Sequence, residues 1–306
     1  MKAIKFKVIP KSIADQCYDN VIPSNWLDGY VKTHGEALKN VDIFCKNGRE
    51  KNQVYTRFDL FEESKDPEIY VSPYYLELFE FSGYGHLIPD YVKELCNLYK
   101  NNIVVFQWNH DNDFSLYSYR ISKIKNAKVI NFGNTQTEKS TDILVPFWNY
   151  NTSFIEKQKK VFCSFVGSIN NQTRLNLGKS ILSSKNDDFV FKQNLSENEY
   201  LNYLSSSVFS LCPQGGPGNG GFSYRFFECM HLNTIPVLMV DRLIFPYKDL
   251  NWNDICVRIK QNLTDIEEIK SILKNIDIKK MQMSIKDHRL RFTLGGVQEE
   301  VYKNLK

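Results

Sequence analysis

The 306-residue chain is 42% hydrophobic and 14% aromatic, which suits two buried cores and excludes a disordered polymer. Its 39 basic and 35 acidic residues leave a net charge of +4, too even a balance for a dedicated nucleic-acid binder. No apolar run reaches 18 residues, the opening MKAIKFKVI is no signal-peptide core, and the seven cysteines include no C-x-x-C pair, so a soluble, cytoplasmic protein with reduced thiols is expected.

Residues 2–9 alternate as a half-buried strand does, whereas 11–39 show no clear period. Short strands are expected over Val41–Cys45 and Glu68–Tyr75, and a helix after Pro89, where Tyr91, Val92, Leu95, Leu98 and Tyr99 form a stripe. The run Asn102–Trp108, NIVVFQW, suits a buried parallel strand, and the polar Asn109, His110, Asp111, Asn112 and Asp113 follow its end, where α/β proteins build sites. A helix over Phe114–Lys125 and strands over Ala127–Gly133 and Thr141–Asn149 complete a first block. Strands alternating with helices predict a parallel sheet. Tyr150–Lys160 reads as a linker, dividing a domain over 1–153 from a second over 154–306. The second block offers a strand at Val161–Ser168, a helix headed by Arg174, a strand at Phe189–Lys192 and a helix at Ser196–Ser206. Beyond residue 241 come a strand at Ile255–Ile259 and a mainly helical segment, Leu263–Leu305, interrupted at Gly295-Gly296.

Between these lies the stretch the rest is organised around, VFSLCPQGGPGNGGFSYRFFECMHLNTIPVLMVD, residues 208–241. It reads as strand, glycine loop, short helix from Ser223, and strand. Glycines such as Gly215 let backbone N–H groups approach a ligand, and a helix N-terminus adds unpaired donors, so an anion site for a phosphorylated ligand is expected. Gly216, Gly218 and Gly221 spell a literal G-x-G-x-x-G with Asp241 ending the next strand, which keeps open a nicotinamide- or flavin-dependent oxidoreductase, and a purely structural loop stays open beside it. Arg225 and Glu228 are three apart, on one helix face. They read either as a surface salt pair or as a working pair, Arg225 forking onto diphosphate oxygens and Glu228 accepting from ribose or sugar hydroxyls.

The segment from Leu204 to Val257 resembles the exostosin-like glycosyltransferases. It carries Ser207, Phe209, Leu211, Cys212, Pro213 and Gly215, then Ser223, Tyr224, Arg225 and Glu228, then Ile235-Pro236-Val237, Asp241, Phe245-Pro246 and Trp252. Weaker likeness extends upstream to FCSFVGSINNQTR with Gly167, Ser168 and Arg174, to IYVSPYY, to VVFQWNHD and to TDILVPFW. The loop has extra glycines, and His231-Leu232-Asn233-Thr234 replaces the usual alanine-glycine before Ile-Pro-Val.

The resemblance implies an α/β protein of the GT-B class, two Rossmann-like domains facing each other across a cleft. It implies an inverting transferase moving a sugar from a nucleotide donor, expected to be a uridine diphosphate sugar, to a glycan or lipid-linked glycan hydroxyl. A guanosine-dependent fucosyltransferase and an inert glycan-binding module are the alternatives. Gly167, Ser168, Arg174, Gly215, Ser223, Tyr224, Arg225 and Glu228 would bind the donor. His110 or Asp111 would serve as base, with Asp113 and His86 behind them. No cofactor is expected; Asp111-Asn112-Asp113 is a literal D-x-D, but divalent metal use is not the favoured reading. The basic, apolar-interleaved Lys279–Phe292 reads mainly as a packed helix, with peripheral contact at the inner face of a membrane as a minor expectation.

Overall fold

The computed structural model describes residues 5–21, 62–73, 76, 85–108, 119–132, 143–146, 156–214, 222–241 and 243–305. The chain divides into two compact units, Met1–Val145 with Gln298–Lys306, and Pro146–Val297.

In the first unit β1 (Lys5–Val8), β2 (Glu62–Glu63), β3 (Ile69–Val71), β4 (Ile103–Trp108), β5 (Ala127–Phe132) and β6 (Ile143–Val145) form a sheet of order β2-β1-β3-β4-β5-β6. Every pairing is parallel. The expected strand NIVVFQW is β4, central and buried from Val104 to Trp108. Helices α1 (Lys11–Val21) and α2 (Ile88–Leu98) supply Ala14, Cys17, Tyr91, Val92 and Leu95 to the core. Helix α1 falls where no period was legible; among its described side chains the buried ones are small, Ala14 and Cys17, with Ile13 and Val21 only partly covered. Of the helix expected over 114–125, residues 119–121 are helical and 122–126 turn into β5, while 114–118 lie outside the described residues. The strand expected at 41–45 lies outside them too.

The second unit contains β7 (Val161–Val166), α3 (Gln172–Ser184), β8 (Phe189–Lys192), α4 (Glu197–Ser206), β9 (Ser207–Pro213), α5 (Tyr224–His231), β10 (Ile235–Met239) and β11 (Val257–Ile259). Its sheet has the order β11-β10-β9-β7-β8, again all parallel. The central strands β9 and β10 are buried almost throughout, as continuous apolar runs in parallel sheets should be. Pro236 sits inside β10 opposite Ser210 and so removes one ladder donor. Helix α5 is held by an aromatic cluster in which Phe226 stacks on Trp252 and Phe222 meets Phe226, Phe227 and Phe245.

Three helices end the chain: α6 (Ile266–Lys274), α7 (Ile278–His288) and α8 (Leu294–Leu305). Gly295-Gly296 does not interrupt a helix; it opens α8. A Cβ on Gly296 would lie 2.4–2.6 Å from backbone atoms of Leu290 and Arg291, so the first turn of α8 can approach the preceding turn only without a side chain.

Both sheets share one topological feature. The chain steps outward from β1 to β2 and from β7 to β8, then returns across the first strand to β3 or β9. Each sheet therefore has a switch point, between β1 and β3 and between β7 and β9, and ligands bind doubly wound sheets at the carboxyl ends of such strands.

Candidate functional site

The carboxyl end of β7 delivers Gly167, and that of β9 delivers Pro213 and Gln214. Gly167 has φ +140°, and a Cβ there would lie 2.0 Å from Arg225 Nη2. Glycine is thus required twice, by its dihedral and by the guanidinium lying against its Cα. Arg225 is only 5% exposed. Its guanidinium lies over the Phe165 ring, 5.1 Å from the centroid, and Nη1 donates to the Leu211 carbonyl at 3.3 Å. Its Nε is buried with no hydrogen-bond partner among the described residues. A buried cation with an N–H unpaired among the described residues is suited to an anionic ligand.

Ser223 is the N-cap of α5, yet its hydroxyl makes no capping bond and is buried without a partner among the described residues. One turn along α5, Glu228 is 9% exposed, and one of its carboxylate oxygens, Oε2, accepts a hydrogen bond from the Tyr200 phenol of α4. Burial of both Arg225 and Glu228 overturns the surface-salt-pair reading, because exposed ion pairs sit in water and these do not. Burial, and after it the neighbouring Glu228, pushes the Tyr200 phenol well above its usual pKa, so it stays a donor. Tyr224 is 42% exposed at the head of the helix.

Arg174, expected to touch phosphate, faces backbone: Nε donates to Gln214 O at 2.9 Å, Nη1 to Ser168 O at 3.2 Å and Nη2 to Pro213 O at 3.5 Å. It ties the ends of β7 and β9 together and thereby fixes the mouth of the switch point. Ser168 also lines a pocket of about 400 Å³ with Gly167, Asn194, Leu195, Glu197 and Tyr200. Asn194 there has φ +54°, a conformation asparagine tolerates better than most residues. Of the expected donor-site residues, Gly167 lies against Arg225, Arg174 donates to the carbonyl of Ser168, and Ser223, Tyr224 and Glu228 belong to the same helix or its N-cap as Arg225. Gly215, His110, Asp111 and Asp113 lie outside the described residues. His86 is exposed in the turn before α2.

Sequence reading missed Tyr200 and Phe165. No local pattern marks Tyr200, one of 17 tyrosines in the chain, whereas Phe165 stands two residues before Gly167 and so on the face that meets Arg225. The literal dinucleotide fingerprint is also resolved. That motif belongs in the first strand-to-helix turn of a nucleotide-binding unit, but the glycine loop here follows β9, the third strand. The basic segment 279–292 is α7 and a following turn, with Ile285 and Phe292 buried, Lys286 and Arg289 paired with Glu156, and Arg291 with Asp249.

The second unit is thus a doubly wound α/β unit with a buried arginine and a buried carboxylate beside its switch point. The model of the exostosin GT47 domain matches residues 99–276, more than half the chain, and the chain belongs to that family of glycosyltransferases. No curated protein matches it. Among solved structures it is similar to a glycosyltransferase from Rickettsia africae ESF-5, at 11% identity and TM-score 0.48 over 100% of this chain and 98% of that one. It is similar as well to Anabaena Alr3699/HepE in complex with UDP, at 8% identity and TM-score 0.47 over 99% of each chain. A third similarity is to the GtfA/B complex, at 8% identity and TM-score 0.42, covering 78% of this chain and only 56% of that one.

Proposed function

We propose that the protein transfers a sugar, with inversion and without a metal, from a uridine diphosphate sugar to a hydroxyl of a glycan or lipid-linked glycan. The observation that carries this reading is the Arg225 guanidinium, buried against Gly167 with its Nε unpartnered among the described residues. Placed at the switch point, it would face the diphosphate together with the Ser223 hydroxyl and the N-terminus of α5, offsetting charge that grows on the leaving group. Glu228 would accept from the ribose hydroxyls. The pocket beside Tyr200 would take the nucleoside end, because Glu197 in its lining repels a diphosphate there.

In a single displacement the base removes the acceptor hydroxyl proton, the oxygen bonds to the anomeric carbon, and the bond from that carbon to the diphosphate breaks. His110 or Asp111, just past the carboxyl end of β4, is the proposed base. Calorimetric titration with UDP, GDP and NADH tests the donor site. UDP should bind wild type and lose roughly ten- to hundred-fold in affinity in Arg225→Ala and in Glu228→Ala, the size expected for charge-assisted hydrogen bonds. Binding of NADH with none of either nucleoside diphosphate would sink the reading. GDP binding in place of UDP would turn it to the guanosine-dependent alternative.

A further inference from the structure

Glu228 does not stand by itself. Its Oε2 accepts from the phenol of Tyr200, which belongs to a different helix and lies 28 residues earlier in the chain. Helix α4 is firmly placed. Ser196 and Glu199 close a capping box at its start. At its end the Leu204 carbonyl accepts from Thr234 Oγ1 at 2.7 Å, the Tyr203 carbonyl from Ser207 Oγ at 2.6 Å, and the Ser205 carbonyl from Lys159 Nζ at 2.8 Å. These ties give the phenol a fixed position from which to direct the carboxylate. Tyr200 also lines the pocket bounded by Gly167 and Ser168, so the ring faces the space beside the diphosphate site while its hydroxyl reaches Glu228.

A carboxylate on a flexible stem can accept from a sugar hydroxyl in several rotamers, and holding it in one costs side-chain entropy at every binding event. A donor from a fixed helix removes that cost in advance and also chooses which oxygen edge faces the ligand. We propose that Tyr200 is a positioning residue for the donor: its hydrogen bond fixes Glu228 in the orientation that reads the ribose hydroxyls, and thereby makes the enzyme selective for ribo- over 2′-deoxyribonucleotides. This rests on the donor-site reading above. A site built to pair with a hydroxyl discriminates against the analogue lacking it, because the hydrogen bond made to the one cannot be made to the other.

The test compares UDP with 2′-deoxy-UDP by calorimetry in wild type, Tyr200→Phe and Glu228→Ala, with GDP and 2′-deoxy-GDP run alongside. Wild type should prefer the ribonucleotide roughly ten-fold or more. Glu228→Ala should bind the two alike. Tyr200→Phe should lose most of the preference while keeping its affinity for the deoxynucleotide and a melting temperature near that of wild type. A purely structural tyrosine would weaken both ligands equally and leave their ratio unchanged, which would overturn the proposal while the donor site stood. A preference that survives Glu228→Ala would likewise overturn this inference, whereas wild type that binds none of the four nucleotides would remove the donor-site reading on which it rests. Should Tyr200→Phe fail to fold, 3-fluorotyrosine at position 200 keeps the shape and makes the phenol more acidic; an unaltered ratio would then count against the proposal.

Discussion

At the scale of single residues, two arginines of the second unit show how burial and partners separate roles that residue type leaves equal. Arg174 and Arg225 are both buried at the strand ends. Arg174 donates to three backbone carbonyls and so acts as a brace. Arg225 donates to one carbonyl, lies on an aromatic ring and keeps a buried Nε with no partner among the described residues. Gly167 is the condition for that placement. Gly167→Ala would set a methyl 2.0 Å from Nη2 in a backbone conformation that disfavours any side chain. We expect a stability loss of about 1–3 kcal/mol by thermal melting and a fall of at least about ten-fold in UDP affinity. An alanine variant that melts and binds as wild type would mean that Arg225 does not need this seat. The glycine was visible in the sequence as part of FCSFVGS; its partner was not, since nothing local joins residue 167 to residue 225.

At the scale of elements, Lys159 is a strap. Its ammonium donates to Ser205 O at the end of α4, to Leu232 O at the C-cap of α5 and to Thr234 Oγ1 before β10. Burial nevertheless pulls its pKa from 10.5 down to about 8. A folded pKa below the unfolded one means the unfolded chain binds more protons between those values, so stability rises with pH across that window and the full penalty is present below it. Urea unfolding should therefore show wild type gaining on Lys159→Met as pH is raised from 7.5 to 9.5, with at most about 1.4 kcal/mol for each unit traversed. A flat difference between the two proteins would contradict this assignment. Elements with long apolar runs or clear helical stripes, such as β4, β9, β10 and α2, were legible because burial on a parallel sheet leaves a compositional mark. Helix α1 was not, its buried side chains among the described residues being the small Ala14 and Cys17, and the role of Gly295-Gly296 was misread because close backbone approach is a tertiary demand.

At the scale of the whole molecule, two parallel sheets with the same outward-then-return strand order offer two switch points. The donor reading uses the one in the second unit. The proposed base, His110 or Asp111, follows β4 in the sequence. Asp111→Asn or His110→Ala should lower kcat about 10²- to 10⁴-fold with donor affinity unchanged, the range general-base catalysis supplies. The same assays run in EDTA should show undiminished turnover. If neither substitution slows transfer, the base is elsewhere, and if the protein binds UDP without any turnover it is a glycan- or nucleotide-binding module.

By itself the sequence determined the class of fold, because buried parallel strands alternating with amphipathic helices leave periodicities that survive without coordinates. It also determined the family, because Ser223, Arg225 and Glu228 with the Ile235-Pro236-Val237 step stand close together in the chain. Tertiary structure decided what those residues touch. Gly167 and Phe165 meet Arg225, Tyr200 meets Glu228, and Arg174 turns to the carbonyls of Ser168, Pro213 and Gln214 only because strand order places β7 beside β9 and fixes α4 against α5. Contacts between residues far apart in sequence depend on which strands are neighbours, and that choice is made by the packing of the whole sheet.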